Sequence, residues 1–327
     1  MVFMKRLFLL PFLGLLLFSG TEIEAKLTRH SFSQSCAGNL ESVTGAPSEE
    51  LLHLLSLTGI KHSKSWEGIV QATSVWRISE QDKSEGLKAS SIPVSDLQAF
   101  YNDMSLLGMT QLEAPYAANY DYAVIPGAIL SVMRQRLRFL INEWERGVRV
   151  DHIIFVTRDR PLYKGSEDPE KFVNPKYNQH PIKEGWDQTQ DVFKIQNEND
   201  IAPFIWGQMK LPKEWTDGTV KVSFITVDDC KNPDSRCKYE AFKHWLHNEH
   251  PGEKSKVLFV SSQPFVRLDD CRILKTFRND KKVEYDVAGP GFALFTLEQP
   301  WGVRVCLDVL ASWMSESKSK GKIASFF

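Results

Sequence analysis

The segment from Tyr122 to Arg160 constrains the fold more than any other, because it reads as strand, helix and strand in immediate succession. Tyr122-Ala-Val-Ile-Pro-Gly127 is a short buried strand closing on glycine, and His152-Ile-Ile-Phe-Val-Thr157-Arg158-Asp159-Arg160 is a second strand that ends in charge. Between them Leu130, Met133, Leu137, Leu140, Ile141 and Trp144 step by three and four, which places them on one helical face. Gly147 stands where a helix wants a left-handed C-terminal cap. The segment is a βαβ unit, and such units build parallel sheets.

Downstream the rhythm continues. Val220 to Val227 runs into Asp228-Asp229, Lys256 to Val260 into Ser261-Ser262-Gln263, and Val283 to Val287 into Ala288-Gly-Pro-Gly291, while Phe292 to Leu297 reads as one further strand. Helices are expected over Tyr239 to His250, Leu268 to Phe277 and Val303 to Ser315. Short β-branched and aromatic runs alternating with helices predict a doubly wound, mostly parallel sheet with helices on both faces, a Rossmann-like α/β sandwich. The sequence divides into residues 1–25, 26–115, 116–315 and 316–327: a signal peptide, a helical N-terminal extension, the α/β domain and a flexible tail. In the extension Ser48 and Ser95 are placed to cap helices, and Ser79 to Ser91 reads as a surface loop. Pro161 to Trp186 leaves from the end of a central strand and is read either as a lid over a cleft or as a surface excursion anchored by Tyr163, Phe172, Tyr177 and Trp186.

The N-terminus carries Lys5 and Arg6, then an apolar run from Leu7 to Phe18, then small and polar residues up to Ala25. That order predicts a secretory signal cleaved near Ala25 or around Ser19-Gly20, with an uncleaved anchor as the alternative. Either places the remainder outside the cytoplasm, and membrane contact is expected only through that segment if it is retained. No cysteine lies just after the apolar run, against a bacterial lipoprotein. Five cysteines are an odd number for an oxidising compartment, and Cys230 and Cys237, bracketing a turn-rich stretch, are the expected disulfide. A net charge of -1, with no basic stripe interleaved with aromatics, gives no reason to expect nucleic acid.

In a doubly wound sheet, ligands sit outside the carboxyl ends of the strands at the switch point. The strand ends deliver Gly127, Arg158, Asp159, Arg160, Asp228, Ser261, Ser262 and Gln263. Arg158 and Arg160 suit a phosphate or carboxylate, which guanidinium holds bidentately; their competing use is pairing with nearby aspartates. Asp159 or Asp228 would be the base of an enzyme. His244, His247 and His250 recur every three residues and drift around a helix, a poor metal spacing, so no metal site is assigned. No Walker A loop, Gly-x-Ser-x-Gly elbow or His-Glu-x-x-His is present, Gly289-Pro-Gly291 fails the dinucleotide fingerprint, and no cofactor is named.

The order of strand ends resembles the YdcF/SanA family of Rossmann-like domains, many exported or anchored in the bacterial envelope. The resemblance covers about residues 120–310 and rests on Gly127, the Arg136-Leu137 helix closing at Gly147, the strand from His152 to Thr157, Val260-Ser261-Ser262 with Arg267 following, and Glu198 as a loose match to a family glutamate. Thr157-Arg158-Asp159 replaces the family's Ser-Gly-Gly, and Gln263-Pro264-Phe265 stands where a histidine follows Val-Thr-Ser, so the resemblance is to a remote or degenerate member. It implies a small-ligand, nucleotide-like cleft and a role in envelope integrity, and no particular reaction. Three functions follow from the sequence: an exported protein binding a small anionic ligand at the strand ends, an envelope-precursor hydrolase or transferase using Asp159 or Asp228, or a scaffold with a degenerate cleft.

Overall fold

Alternation along the strands decides the layers. The computed structural model describes residues 36–84, 92–178, 180–187, 192–227, 236–250, 254–293, 297, 299 and 302–318. Strands β1 (Asn119–Pro126), β2 (Arg149–Arg158), β3 (Lys221–Val227), β4 (Ser255–Val260) and β5 (Val283–Ala288) form one sheet in the order β3-β2-β1-β4-β5, with every neighbouring pair parallel. Ala123, Ile125, Ile153, Phe155, Leu258 and Val260 point to one face and join a core with the helices at Leu130–Glu145 and Glu198–Gln208. Tyr122, Val124, Ile154, Val156, Val257 and Phe259 point to the other and pack on the helices at Arg236–Glu249 and Val266–Phe277. A side-chain period of two is what lets one strand serve two cores. The doubly wound α/β fold expected from the sequence is therefore the fold observed.

Among the helices that surround and extend the sheet are α1 (Glu49–Leu57), α2 (Leu130–Glu145), α3 (Glu198–Gln208), α4 (Arg236–Glu249), α5 (Val266–Phe277) and α6 (Gly302–Lys318). In α2 the expected stripe is buried from Leu130 to Ile141 and part-buried at Trp144, and Gly147 just beyond it adopts φ +106°. Ser48 caps α1 by accepting from the Leu51 amide at 3.3 Å. The helix at Leu97–Leu106 is capped by Asp96, not Ser95: the carboxylate accepts the Ala99 amide at 2.9 Å, where an N-cap side chain belongs. Glu80–Ser84 is a short helix within the stretch expected to be loop. No sixth strand follows β5 among the described residues, and helix α6 runs on to Lys318, three residues into the expected tail.

A third core joins the N-terminal helices to the sheet's distal side. Leu51, Leu54, Leu55, Trp76, Phe100 and Met104 pack with Leu268 and Cys271 of α5 and with Leu307, Leu310, Trp313 and Met314 of α6. All described residues fall within one compact unit spanning Ser33–Phe327, because this cluster has no core of its own without α5 and α6. Trp313 is 1% exposed at its centre. Trp313→Ala should cost about 3–5 kcal/mol, and urea unfolding followed by circular dichroism should show a single transition at a lower midpoint; separate transitions for the N-terminal helices and the sheet would contradict a shared core.

Candidate functional site

The sheet order reverses between β1 and β4, so the crevice at their carboxyl ends is the place to look for a ligand. Gly127 follows β1, Arg158 ends β2 and Ser261 follows β4. Glu198, the first residue of α3, fills the middle and is 0% exposed. An Asn197/Asp200 capping box starts that helix and sets Glu198 against β2. Its carboxylate accepts from the Arg158 amide at 3.1 Å, from Arg160 Nε at 2.6 Å and from Lys238 Nζ at 3.1 Å.

Arg160 has no N–H left for a ligand. It donates through both terminal nitrogens to Glu167, at 2.7 and 3.0 Å, through Nε to Glu198, and to the carbonyls of Pro161 and Ala128 at 3.0 and 3.1 Å. These are all five donors of a guanidinium. Glu167 in turn accepts from the amides of Leu130 and Tyr163, so it caps α2 and pins the segment that follows β2. With Phe172 fully buried in the same segment, Pro161 to Trp186 is an anchored excursion.

Lys238, on α4, reaches across to donate to the Gly127 carbonyl and to Glu198. Burial and the neighbouring Arg158 and Arg136 push its ammonium down to about 8, against the pull of Glu198. Burial alone would raise Glu198, but Lys238, Arg160 and Arg158 together hold it below the usual glutamate range. The two shifts are compatible, since the carboxylate has three cations while the lysine has one carboxylate and two like charges.

The remaining expected contacts are used inside the protein. A Cβ on Gly127 would collide with the Glu198 carboxylate and lie 3.1 Å from Thr157 Cα, so the glycine makes room for a side chain of the same chain. Ser261 Oγ donates to Asp269 at 2.6 Å, Ser262 Oγ accepts from Arg136 Nε at 3.4 Å, and Gln263 Nε2 donates to the carbonyls of Gly108 and Gln111. All three residues are buried. Against the expectation that these side chains face a ligand, the N–H groups of Arg160 and Gln263 and the Ser261 hydroxyl are donated to groups of the same chain, and the Ser262 hydroxyl is turned to Arg136. Arg158 is half-buried, and its Nε has no hydrogen-bond partner; Asp159 beside it is exposed. Asp228 and Cys230 lie outside the described residues, whereas Cys237 is disulfide-bonded.

Two members of the network escaped sequence reasoning. Lys238 shares the spacing of four with the buried Phe242 and Leu246, and a lysine on such a stripe is a signal of internal pairing. Glu167 carries no comparable local mark. The two histidines of α4 and the one just after it go separate ways: His247 meets Asp280 at 2.7 Å, His244 meets Asn248 at 3.1 Å, and His250 packs on Tyr122 and Trp245. An open groove of about 880 Å³ lies elsewhere, where His152, Trp206, Trp215 and Lys221 border the start of β3; it shares no residue with the strand-end network. No helix of the described residues is long and apolar enough to cross a membrane.

Comparison with protein-family models, with curated proteins and with solved structures gives no match.

Glu198→Gln should cost about 3–5 kcal/mol, because it strands buried cations. Lys238→Met should be much milder, and its comparison with the wild type should depend on pH. Between about 8 and the ordinary lysine value of 10.5 the unfolded chain keeps a proton that the native chain has released. The unfolded state then binds more protons, so wild-type stability should gain on that of Lys238→Met as pH rises through this window. Chemical denaturation of both proteins at pH 7, 8.5 and 10 measures the difference; a gap independent of pH would show that Lys238 keeps an ordinary proton affinity.

Proposed function

We propose that the chain is an exported, Rossmann-like binding protein that holds a small anionic group, phosphate- or nucleotide-like, at the rim of the strand-end crevice. The observation that carries this reading is Arg158. Of the two arginines expected to bind a ligand at the strand ends it is the one whose side chain is part exposed, its buried Nε has no hydrogen-bond partner, and with Arg160 and protonated Lys238 it exceeds Glu198 and Glu167 by one positive charge. An anion there would supply the missing charge, and the guanidinium edge suits its oxygens. Binding is favoured over catalysis because Glu198 is held ionised by three cations and Asp159 is exposed. An envelope role is what the YdcF/SanA resemblance would add, and the convergence of Gly127, Arg136, Glu198 and Ser262 supports that kinship.

A second reading has an observation of its own. Lys238 occupies the centre of the crevice by bonding the Gly127 carbonyl and Glu198, as a permanent internal occupant would. On that reading the protein is a scaffold that binds nothing there.

Thermal unfolding against inorganic phosphate, nucleotides and sugar phosphates separates the two. Binding to the native state alone raises stability by about 2.7 kcal/mol at a hundredfold excess over Kd. A midpoint that rises with at least one of these anions, that loses the response in Arg158→Ala and keeps it in Asp159→Ala, is the expected result. A flat response across the panel in the wild type leaves the scaffold reading standing.

A further inference from the structure

Cys36 and Cys271 lie 235 positions apart in the chain and meet in the third core. Cys36 Sγ donates to the Cys271 carbonyl at 3.4 Å, and the two thiols also contact each other. Each is held by a rigid element. Cys271 is 1% exposed within α5, and the Cys36 carbonyl accepts the Trp313 indole N–H at 2.7 Å from α6. Gly38, two residues on, lies against the same indole ring and has φ +47°, a turn that keeps the chain at Cys36 on α6. Leu268, Leu310 and Met314 belong to the same apolar cluster. Two thiols meeting on rigid supports in apolar surroundings give up little by joining, since S–H is a weak donor.

We infer that Cys36 and Cys271 form a second disulfide, which fastens the N-terminal segment to α5 once the chain meets an oxidising compartment. The compartment rests on the export expected from the N-terminal sequence; the pairing rests on the geometry alone. With Cys237 already bonded, closure would leave Cys306, which is 0% exposed, as the remaining thiol among Cys36, Cys271 and Cys306. The odd number of cysteines then needs no partner from another chain.

The order of attack follows from the surroundings. The hydrogen bond with Cys271 draws the Cys36 thiol down, whereas the same contact and burial push Cys271 up, and Cys36 is the more accessible of the two. Cys36 thiolate attacks one sulfur of an external disulfide such as oxidised glutathione, forming a mixed disulfide and releasing one thiol. Cys271 then gives up its proton and attacks Cys36 Sγ, expelling the second external thiol. Two protein S–H groups and one external S–S bond become one protein S–S bond and two external thiols.

The test uses the full chain, equilibrated with oxidised glutathione or with a reductant too weak to open the Cys237 bridge, then denatured, alkylated and weighed. Alkylated thiols should fall from the three now free to one, and non-reducing digestion should recover a peptide joining Cys36 to Cys271. The oxidised wild type should also melt roughly 5–10 °C above Cys36→Ser, as a bridge closing so long a loop predicts. Three alkylated thiols at equilibrium would overturn the inference, and so would Cys36 joined to Cys306 or capped by glutathione. Because the bridge is mapped on the wild type, the result stands even where a variant folds poorly.

Discussion

A single carboxylate, Glu198, taken wholly out of water at the end of a parallel sheet, sets terms that much of the strand-end structure answers. Removing such an ion from solvent costs several kcal/mol unless it is paired and hydrogen-bonded. Here the Arg158 amide, the Arg160 guanidinium and the Lys238 ammonium supply the pairing, from β2, the turn after it and a helix on the opposite face of the sheet. Each partner brings an obligation of its own. Arg160 requires Glu167, which in turn caps α2, and Lys238 requires the Gly127 carbonyl, which fixes the turn after β1. A glycine is needed at 127 because a Cβ would occupy the carboxylate's place.

A second polar chain runs beside the first. Pro126 and Ser262 accept from Arg136, Ser261 donates to Asp269, and Gln263 donates to two carbonyls of the segment leading into β1. The turn after β4 is thereby tied both to the helix after β1 and to the N-terminal region. That region is no loose appendage, since Leu51, Phe100 and Trp76 share their core with α5 and α6. The crevice that a doubly wound sheet opens at its switch point is here built largely from groups that satisfy one another.

Binding rather than turnover is proposed from the chemistry of these groups. Catalysis needs groups whose protonation changes at the working pH and whose lone pairs or protons face the reactant. The buried carboxylates here are locked in salt bridges, Lys238, though its ammonium is pushed down to about 8, spends its N–H groups on Glu198 and the Gly127 carbonyl, and the residues with exposure left are Arg158 and Asp159. Recognition of an anion asks less: a guanidinium edge and a local surplus of positive charge. This contrast underlies the preference for binding over turnover.

The sequence by itself determined the layers. Alternation in β1, β2 and β4 and the three-and-four spacing in α2 are local consequences of backbone geometry, so they can be read without knowing what packs on what. It also led to Gly127, Arg158, Arg160 and Ser261 as residues of one crevice, because strand ends converge in any sheet of this class. Only the tertiary structure decided what those residues do there. Whether Arg160 meets a ligand or Glu167, and whether Gly127 yields space to a phosphate or to Glu198, depends on side chains from other elements, and a buried donor takes whichever acceptor the packing brings to it. The strand order and the entry of Lys238 from the far face are likewise properties of the assembled sheet, since pairing in space is not encoded by spacing along the chain.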